Sequence, residues 1–310
     1  MNEIPKHTGL IEFKNINLSE IVPFIHWSFF FLAWRISGKY EGIETVCDCA
    51  SCITGWLQKI PESERAKAEE AIKLYKDAQE MLREFREKKV LTINAAVGIY
   101  PAYAEDDDIF VIHDGKQICI PTLRQQQPSS DGYCYALADF IKPADDYLGV
   151  FATTVLGVET FAEGYEKNND DYSSILAKTL SDRIAEATAE WLHYEVRTKY
   201  WGYSPDEKKD ISEMYKVHYQ GIRPAVGYPS LPDQSIIFEL DPLIKFNNIG
   251  IQLTENGAMY PNASVCGIYF AHPKSKYFLI GKIDENQLNN YAKRRGKSPD
   301  IIRKWLASNL

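Results

Sequence analysis

The chain has 310 residues, of which 45% are hydrophobic and 25% are charged, so it can bury a sizeable core. Its formal net charge of -8 argues against a surface that binds the phosphates of a nucleic acid. The stretch Met1–Leu10 lacks the features of a signal peptide, and the longest apolar run, Phe29–Trp34, is too short to span a bilayer. These properties predict a cytoplasmic protein that binds neither nucleic acid nor a membrane.

The first half of the chain is predicted to contain one charged helix and several short strands. After an aromatic-rich segment over residues 1–60, a helix is predicted over residues 61–89, because apolar residues recur there at spacings of three and four. The predicted strands are Val97–Tyr100, Ile109–His113 and Gln117–Ile120. Asp114-Gly115, between the last two strands, is typical of a tight hairpin turn.

In the second half, a long helix is predicted from Asp171 to about Lys199. Its expected buried residues are Ile175, Leu176, Leu180, Ile184, Ala187 and Trp191. A break at Gly202–Pro205 leads into a polar helix with Ser204 as its N-cap, and two short helices close the chain. No repeat or Gly/Ser linker divides the sequence, so we expect one α+β domain over residues 1–310.

The segment Tyr219–Pro232 combines one arginine, Arg223, with three prolines and two glycines. Proline restricts the backbone and glycine lets it approach other groups closely, so this loop is expected to be stiff. An arginine held in this way would bind a carboxylate through two parallel hydrogen bonds. The alternative is an ordinary surface loop whose arginine is solvated.

A second motif covers Ser264–Phe278. It is predicted to form a strand, a His272-Pro273 turn and a return strand that carries Tyr277 and Phe278. The faces of these aromatic rings would attract a positively charged sulfonium group. The alternative is that both rings only pack within a sheet.

Glu186, Glu190 and His193 are predicted to lie on one side of the long helix. Glu-x-x-His on a helix is half of a di-iron signature, but the sequence contains no second such helix. A solvated helix face is therefore the default interpretation. The alternative is that Glu186 pairs with an ammonium or sulfonium group of a ligand.

The six cysteines do not form the pattern of a disulfide framework, and we expect reduced thiols. Cys47, Cys49 and Cys52 form one dense cluster, which would bind a soft metal ion or relay electrons. No fourth cysteine or histidine follows at zinc-finger spacing. The default interpretation is therefore three ordinary, half-buried thiols without a metal.

These motifs resemble, in order and approximate spacing, the activation domain of cobalamin-dependent methionine synthase over roughly residues 20–310. The other similar segments are Gly38–Tyr40, Leu123–Gln126, Leu137–Phe140, Asp146–Gly149, Asp182–Ala187 and Tyr200–Tyr203. The resemblance implies an α+β fold, a C-shaped or helmet-like single domain with a central twisted antiparallel β-sheet surrounded by helices. An insertion over about residues 41–62, which carries the thiol cluster, is absent from typical members.

The resemblance also implies a site for S-adenosylmethionine. The residues at cofactor-binding positions are Arg223, Ala225, Tyr228, Glu186, Tyr277, Phe278 and His26. Arg223 would pair with the methionine carboxylate, and Tyr228, near the cobalamin, would take the catalytic position. At His26 the family usually has an aspartate, so this chain lacks one anionic partner for the ammonium group of the ligand.

The activity implied by the resemblance is reductive methylation of cob(II)alamin, with an electron from a flavodoxin-like donor and a methyl group from S-adenosylmethionine. The sequence contains no Asp-x-His-x-x-Gly motif for ligating cobalamin. We therefore expect the chain to act in trans on a cobalamin-binding methionine synthase that lacks its own activation domain. The alternative is a module that docks onto a corrinoid protein and caps it without methyl transfer.

Overall fold

A six-stranded antiparallel sheet lies at the centre of the computed structural model, which describes residues 4–47 and 49–310. Residues 1–3, at the start of the stretch Met1–Leu10, and Asp48, which stands between Cys47 and Cys49, lie outside the described residues. The strands of the central sheet are β1 (Gly9–Phe13), β2 (Thr92–Glu105), β3 (Asp108–His113), β4 (Lys116–Pro121), β5 (Asp146–Leu156) and β8 (Ser264–Tyr269), while β6 (Gln252–Leu253) and β7 (Met259–Tyr260) form a separate two-stranded sheet. The main helices are α1 (Leu18–Ile21), α2 (Trp27–Ala33), α3 (Ala50–Leu57), α4 (Arg65–Glu87), α5 (Val158–Glu166), α6 (Asp171–Glu195), α7 (Ile211–Tyr215), α8 (Ile237–Ile244), α9 (Glu285–Arg294) and α10 (Pro299–Trp305).

The long strand β2 organises the sheet, whose order is β4-β3-β2-β5-β8. One edge of β2 pairs with β5, and its other edge pairs with β1 and then with β3. The predicted strand Val97–Tyr100 is therefore the middle of a much longer one. The predicted hairpin between β3 and β4 is confirmed, and Asp114 and Gly115 both have positive φ, as a tight two-residue hairpin turn requires.

Helices cover both faces of this sheet. Alternate residues of β5 enter different cores, because successive strand side chains point to opposite faces. Phe151 belongs to the core that also contains residues of α6, whereas Val150 and Ala152 belong to the core beneath α8. The predicted α+β architecture is confirmed, and β8 is left at one end of the sheet with its outer edge available to a loop.

The predicted long helix is observed as α6, followed by a π-helical turn over Val196–Tyr200. Five of its six predicted core residues are buried, but Ile175 is wrong because its side chain is exposed. It lies one position away from the 3–4-spaced row that starts at Leu176, and so it turns towards solvent. The charged helix α4 also forms as predicted.

The predicted polar helix begins later than expected. Helix α7 starts after Asp210, whose carboxylate accepts hydrogen bonds from the backbone N–H groups of Ser212 and Glu213. Ser204 as the N-cap is therefore wrong, since an aspartate six residues later supplies the cap. The two closing helices α9 and α10 are confirmed, and Gly296 has the positive φ expected after α9. None of the helices in the described part of the chain is both long and apolar enough to cross a bilayer.

Candidate functional site

A cavity of about 600 Å³ opens beside the outer edge of β8. Its volume lies within the range of about 300–1,000 Å³ that is usual for small-molecule sites. Six of the seven residues predicted to bind the cofactor line it, namely Glu186, Arg223, Ala225, Tyr228, Tyr277 and Phe278. The seventh, His26, lines a smaller adjoining cavity of about 230 Å³, which shares Glu186, Arg223 and Tyr228 with the larger one.

The loop that carries Arg223 occupies the edge of β8. Ile222 and Phe270 exchange two backbone hydrogen bonds, and the N–H of Ile268 donates to the carbonyl of Pro224. The loop comes so close at Gly267 that a Cβ there would lie 2.2 Å from the Pro224 carbonyl oxygen. The expected stiff loop is thus held along the sheet, and glycine in β8 leaves room for it.

The predicted return strand at Tyr277 and Phe278 is wrong, because the Arg223 loop already takes the edge of β8. The segment is held by the loop instead. The N–H of Phe278 donates to Ser230 Oγ at 3.1 Å, and Tyr277 Oη accepts a hydrogen bond from the N–H of Arg223 at 3.0 Å. Phe278 packs towards Phe140, whereas the ring of Tyr277 remains 44% exposed at the cavity.

The guanidinium of Arg223 is enclosed by protein groups, so the solvated-arginine alternative is wrong. Its Nη1 donates to Tyr219 Oη at 2.9 Å and to Glu190 Oε1 at 3.1 Å, and Nη2 also donates to Glu190. Burial acts to lower the pKa of Arg223, but Glu190, Tyr219 and Tyr277 together raise that pKa well above its usual range. The cation is permanent, and Glu190 is its counter-ion.

The default of a solvated face on α6 is also wrong, because His193 is fully buried and Glu190 nearly so. His193 Nδ1 lies 3.2 Å from Arg223 Nη1, and its Nε2 lies 3.3 Å from Tyr203 Oη. A guanidinium only donates, so Nδ1 is the acceptor and the ring proton is on Nε2. Burial, followed by the charges of Arg197 and Arg223, lowers the pKa of His193 well below its usual value.

Because His193 is buried in its neutral form, we expect the free energy of unfolding to fall in mild acid. The unfolded chain binds a proton at position 193 below about pH 6.5, while the folded protein does not, so stability falls as pH drops through that value. The added slope is at most about 1.4 kcal/mol per pH unit for one proton. Denaturant unfolding between pH 7.5 and 5 should show a shallower decline for His193→Gln than for the wild type.

The exposed histidine His218, which contacts Glu213 at the surface, supplies the control. A His218→Gln variant should keep the steeper pH dependence of the wild type. Equal slopes for the wild type and His193→Gln would contradict a neutral buried imidazole at position 193.

A second ion pair, between Arg197 and Glu207, packs next to the site and was not predicted from the sequence. Arg197 is fully buried, donates two hydrogen bonds to Glu207 at 2.7 and 2.6 Å, and stacks over the ring of Tyr219 at 3.9 Å. Tyr219 in turn accepts from Arg223. The spacing of four between His193 and Arg197 on the same helix is a signal that would have placed both groups together.

Tyr228 and Glu186 line both cavities. Tyr228 Oη donates to Glu186 Oε1 at 3.2 Å, while the residue is 54% exposed. The Glu186 charge, followed by burial, raises the pKa of Tyr228. Of the predicted residues, Tyr228 is the most accessible to a large second molecule.

His26 lies between two aromatic rings in the smaller cavity. Its ring centroid is 4.5 Å from that of Phe29 and 4.1 Å from that of Tyr215. Burial lowers the pKa of His26, and its buried Nδ1 finds no hydrogen-bond partner among residues 4–47 and 49–310. A neutral ring here does not replace the charge of a carboxylate.

The thiol cluster stands apart from both cavities, since Cys47, Cys49 and Cys52 line neither. All three residues are exposed, so the interpretation as half-buried thiols is wrong. Hydrogen bonds with Cys47 and then with Ser51 lower the pKa of Cys49 to about 6, whereas hydrogen bonds with Cys47 and then with Cys49 raise the pKa of Cys52 to about 12. The structure thus brings three exposed thiols together at the surface.

Comparison with known proteins agrees with this architecture. The family described as vitamin B12 dependent methionine synthase, activation domain, matches residues 17–296. A solved structure, described as the crystal structure of the MetH reactivation domain bound to AdoHcy, is 36% identical, with a TM-score of 0.88. That similarity covers 100% of this chain and 93% of the other. The chain therefore belongs to the activation-domain family of vitamin B12-dependent methionine synthases, as its motifs predicted.

Proposed function

We propose that the chain binds S-adenosylmethionine in the 600 Å³ cavity and uses it to remethylate an oxidised cobalamin, which reactivates a methionine synthase. One observation carries the proposal, namely that six of the residues predicted from the family resemblance line this one cavity. The similar reactivation domain bound to AdoHcy supports it, because AdoHcy is what remains after S-adenosylmethionine gives up its methyl group.

The charges around the cavity suit a zwitterionic amino acid that also bears a sulfonium group. Arg223 is a permanent cation and would hold the carboxylate, while Glu186 and Glu190 supply negative charge for the ammonium and sulfonium groups. Pro224 and Phe151 give the larger cavity apolar surface. The ring of Tyr277, held in place by its hydrogen bond to the Arg223 backbone, would face the positive ligand.

When cobalamin is present, its reduced cobalt supplies the nucleophile that accepts the methyl group. The work of this chain is to hold the methyl donor in line and to exclude competing water. Tyr228 lines the cavity and is largely exposed, so it would contact the corrin and separate it from the ligand-binding interior. No residue of the chain has to transfer a proton in this step.

The cobalamin would arrive on a separate cobalamin-binding methionine synthase unit, since this sequence has no motif that ligates it. Before the methyl transfer, one electron must reduce cob(II)alamin to the cob(I) state that attacks the methyl group. We assign that electron to a flavodoxin-like donor that docks on the cobalamin-bearing partner. The chain is then the methyltransferase component of a larger assembly.

One observation favours a second candidate, a docking module that has lost methyl transfer. Arg223 already has Glu190, Tyr219 and His193 as partners, and His26 adds no charge where the family has an aspartate. A ligand carboxylate would have to compete with Glu190 for the guanidinium. Such a module would still cap a corrinoid protein through the surface around Tyr228.

Calorimetry of the purified chain with S-adenosylmethionine and with AdoHcy separates the two candidates. The proposed function predicts saturable binding of both ligands, followed by formation of AdoHcy when a reduced cobalamin-bearing partner is added anaerobically. The absence of any heat of binding at millimolar S-adenosylmethionine would contradict methyl transfer. Capture of a corrinoid partner under that condition would establish the docking module.

A further inference from the structure

The segment Glu41–Leu57, named here the thiol segment, has no part in the proposed reaction. Its base is fixed to the protein core, because Ile43 and Trp56 are buried. Trp56 Nε1 also donates to the carbonyl of Glu41 at 3.0 Å. The thiol segment is therefore anchored to the protein core through Ile43 and Trp56.

Those outward side chains include three cysteines, Cys47, Cys49 and Cys52, all of them exposed. This is unusual, since free cysteine is among the residue types most often buried. The remaining cysteines do not join them, as Cys266 is buried and the other two are partly buried in the sheet region. Exposure of three thiols within six residues calls for a chemical reason.

The geometry supplies one, because the three Sγ atoms all lie within 4.8 Å of one another. A metal ion bound at the usual metal–sulfur distance of about 2.3 Å would hold three sulfurs about 3.8–4.0 Å apart. The Sγ atoms of Cys47 and Cys49 are 2.9 Å apart and would separate by about 1 Å to fit that geometry. Cys49 Sγ is already oriented by the N–H of Cys52, which donates to it at 3.3 Å.

The amino-acid composition of the thiol segment also suits a cation. The thiol segment contains three acidic residues, Glu41, Glu44 and Asp48, and no lysine or arginine. Among the residues that the structure describes, the group contains three ligands and no fourth. Three soft ligands with one position open are suited to a thiophilic ion that accepts low coordination.

We propose that Cys47, Cys49 and Cys52 bind one thiophilic d10 ion, Cu(I) or Zn(II), through three thiolates. Each thiol loses its proton as a sulfur–metal bond forms, and no electron is transferred. Cu(I) is satisfied by three sulfurs, whereas Zn(II) takes water or an external ligand in the open position. The site is separate from the S-adenosylmethionine cavity and does not depend on its assignment.

The test uses the full chain, reduced and freed of metal under anaerobic conditions. Cu(I) and Zn(II) are each titrated against a chromophoric chelator, and ultraviolet absorption from sulfur-to-copper charge transfer is recorded. One equivalent of one ion should bind to the wild type and to Cys134→Ser, a control thiol outside the cluster. Cys49→Ser should weaken binding of that ion at least 100-fold. The ion that is retained against the chelator identifies the natural preference.

Circular dichroism and denaturant unfolding show whether each variant remains folded. Two outcomes overturn the proposal. One is that the reduced wild type binds neither ion stoichiometrically. The other is that a Cys47→Ser, Cys49→Ser, Cys52→Ser triple variant binds as tightly as the wild type.

Discussion

Replacing Arg223 by alanine should reduce the affinity for S-adenosylmethionine by about 10- to 150-fold, which corresponds to the loss of a charged hydrogen-bonding partner worth about 1.5–3 kcal/mol. The same change should lower the free energy of unfolding, because it leaves Glu190 buried without its counter-ion. Breaking a buried ion pair from one side costs about 3–5 kcal/mol. Calorimetry and denaturant unfolding measure the two effects separately.

Two further variants separate binding from folding. Replacing both partners, Arg223→Met with Glu190→Met, removes the unpaired charge, so stability should recover while ligand affinity stays low. Arg303, which forms an exposed ion pair with Glu285, is the matched control, and Arg303→Ala should leave affinity and stability as in the wild type. Unchanged affinity in Arg223→Ala would remove this arginine from the ligand site.

Replacing Gly267 by alanine should have the second large effect. The new Cβ would lie 2.2 Å from the Pro224 carbonyl oxygen and 2.8 Å from the Ala225 Cα, so the Arg223 loop must move away from β8. Overpacking of this kind costs about 1–3 kcal/mol of stability. Because Arg223 and Tyr228 move with the loop, affinity for S-adenosylmethionine should fall by at least about tenfold, since misplacement of binding groups by an ångström is costly.

Gly164 in α5 provides the control, because a Cβ there would meet no atom within 4 Å. Gly164→Ala should preserve ligand affinity and slightly increase stability, as alanine is the better helix former. If Gly267→Ala bound S-adenosylmethionine as tightly as the wild type, the close contact between β8 and the loop would have no role in shaping the site.

The parts of the fold that the sequence predicted are those encoded by local patterns. The 3–4 spacing of apolar residues located α4 and α6, and Asp114-Gly115 located the β3–β4 hairpin. Tyr277 failed as a strand residue because the outcome depended on a distant segment, the Arg223 loop, reaching β8 first. Which of two segments pairs with one sheet edge cannot be predicted from the local sequence of either segment.

The candidate site shows the same division. The family resemblance predicted that Arg223, Tyr228 and Glu186 belong to one site, and all three line the same cavity. The residue types alone favoured a solvated loop and a solvated helix face. The ion pair between Glu190 and Arg223 joins positions 33 residues apart. Its partners could be recognised only once α6 and the loop were seen to pack against each other.

The two cavities share Glu186, Arg223 and Tyr228 among their lining residues, so we expect binding in one cavity to affect binding in the other. When Arg223 turns to a ligand in the larger chamber, Glu190 in the smaller chamber loses part of its charge compensation. A cationic group near His26 would then be held more tightly, and thermodynamic linkage requires the reverse effect to be equal in size. In a ligand that carries both charges, binding of the carboxylate by Arg223 would thus strengthen binding of the cationic group near Glu190, and the reverse.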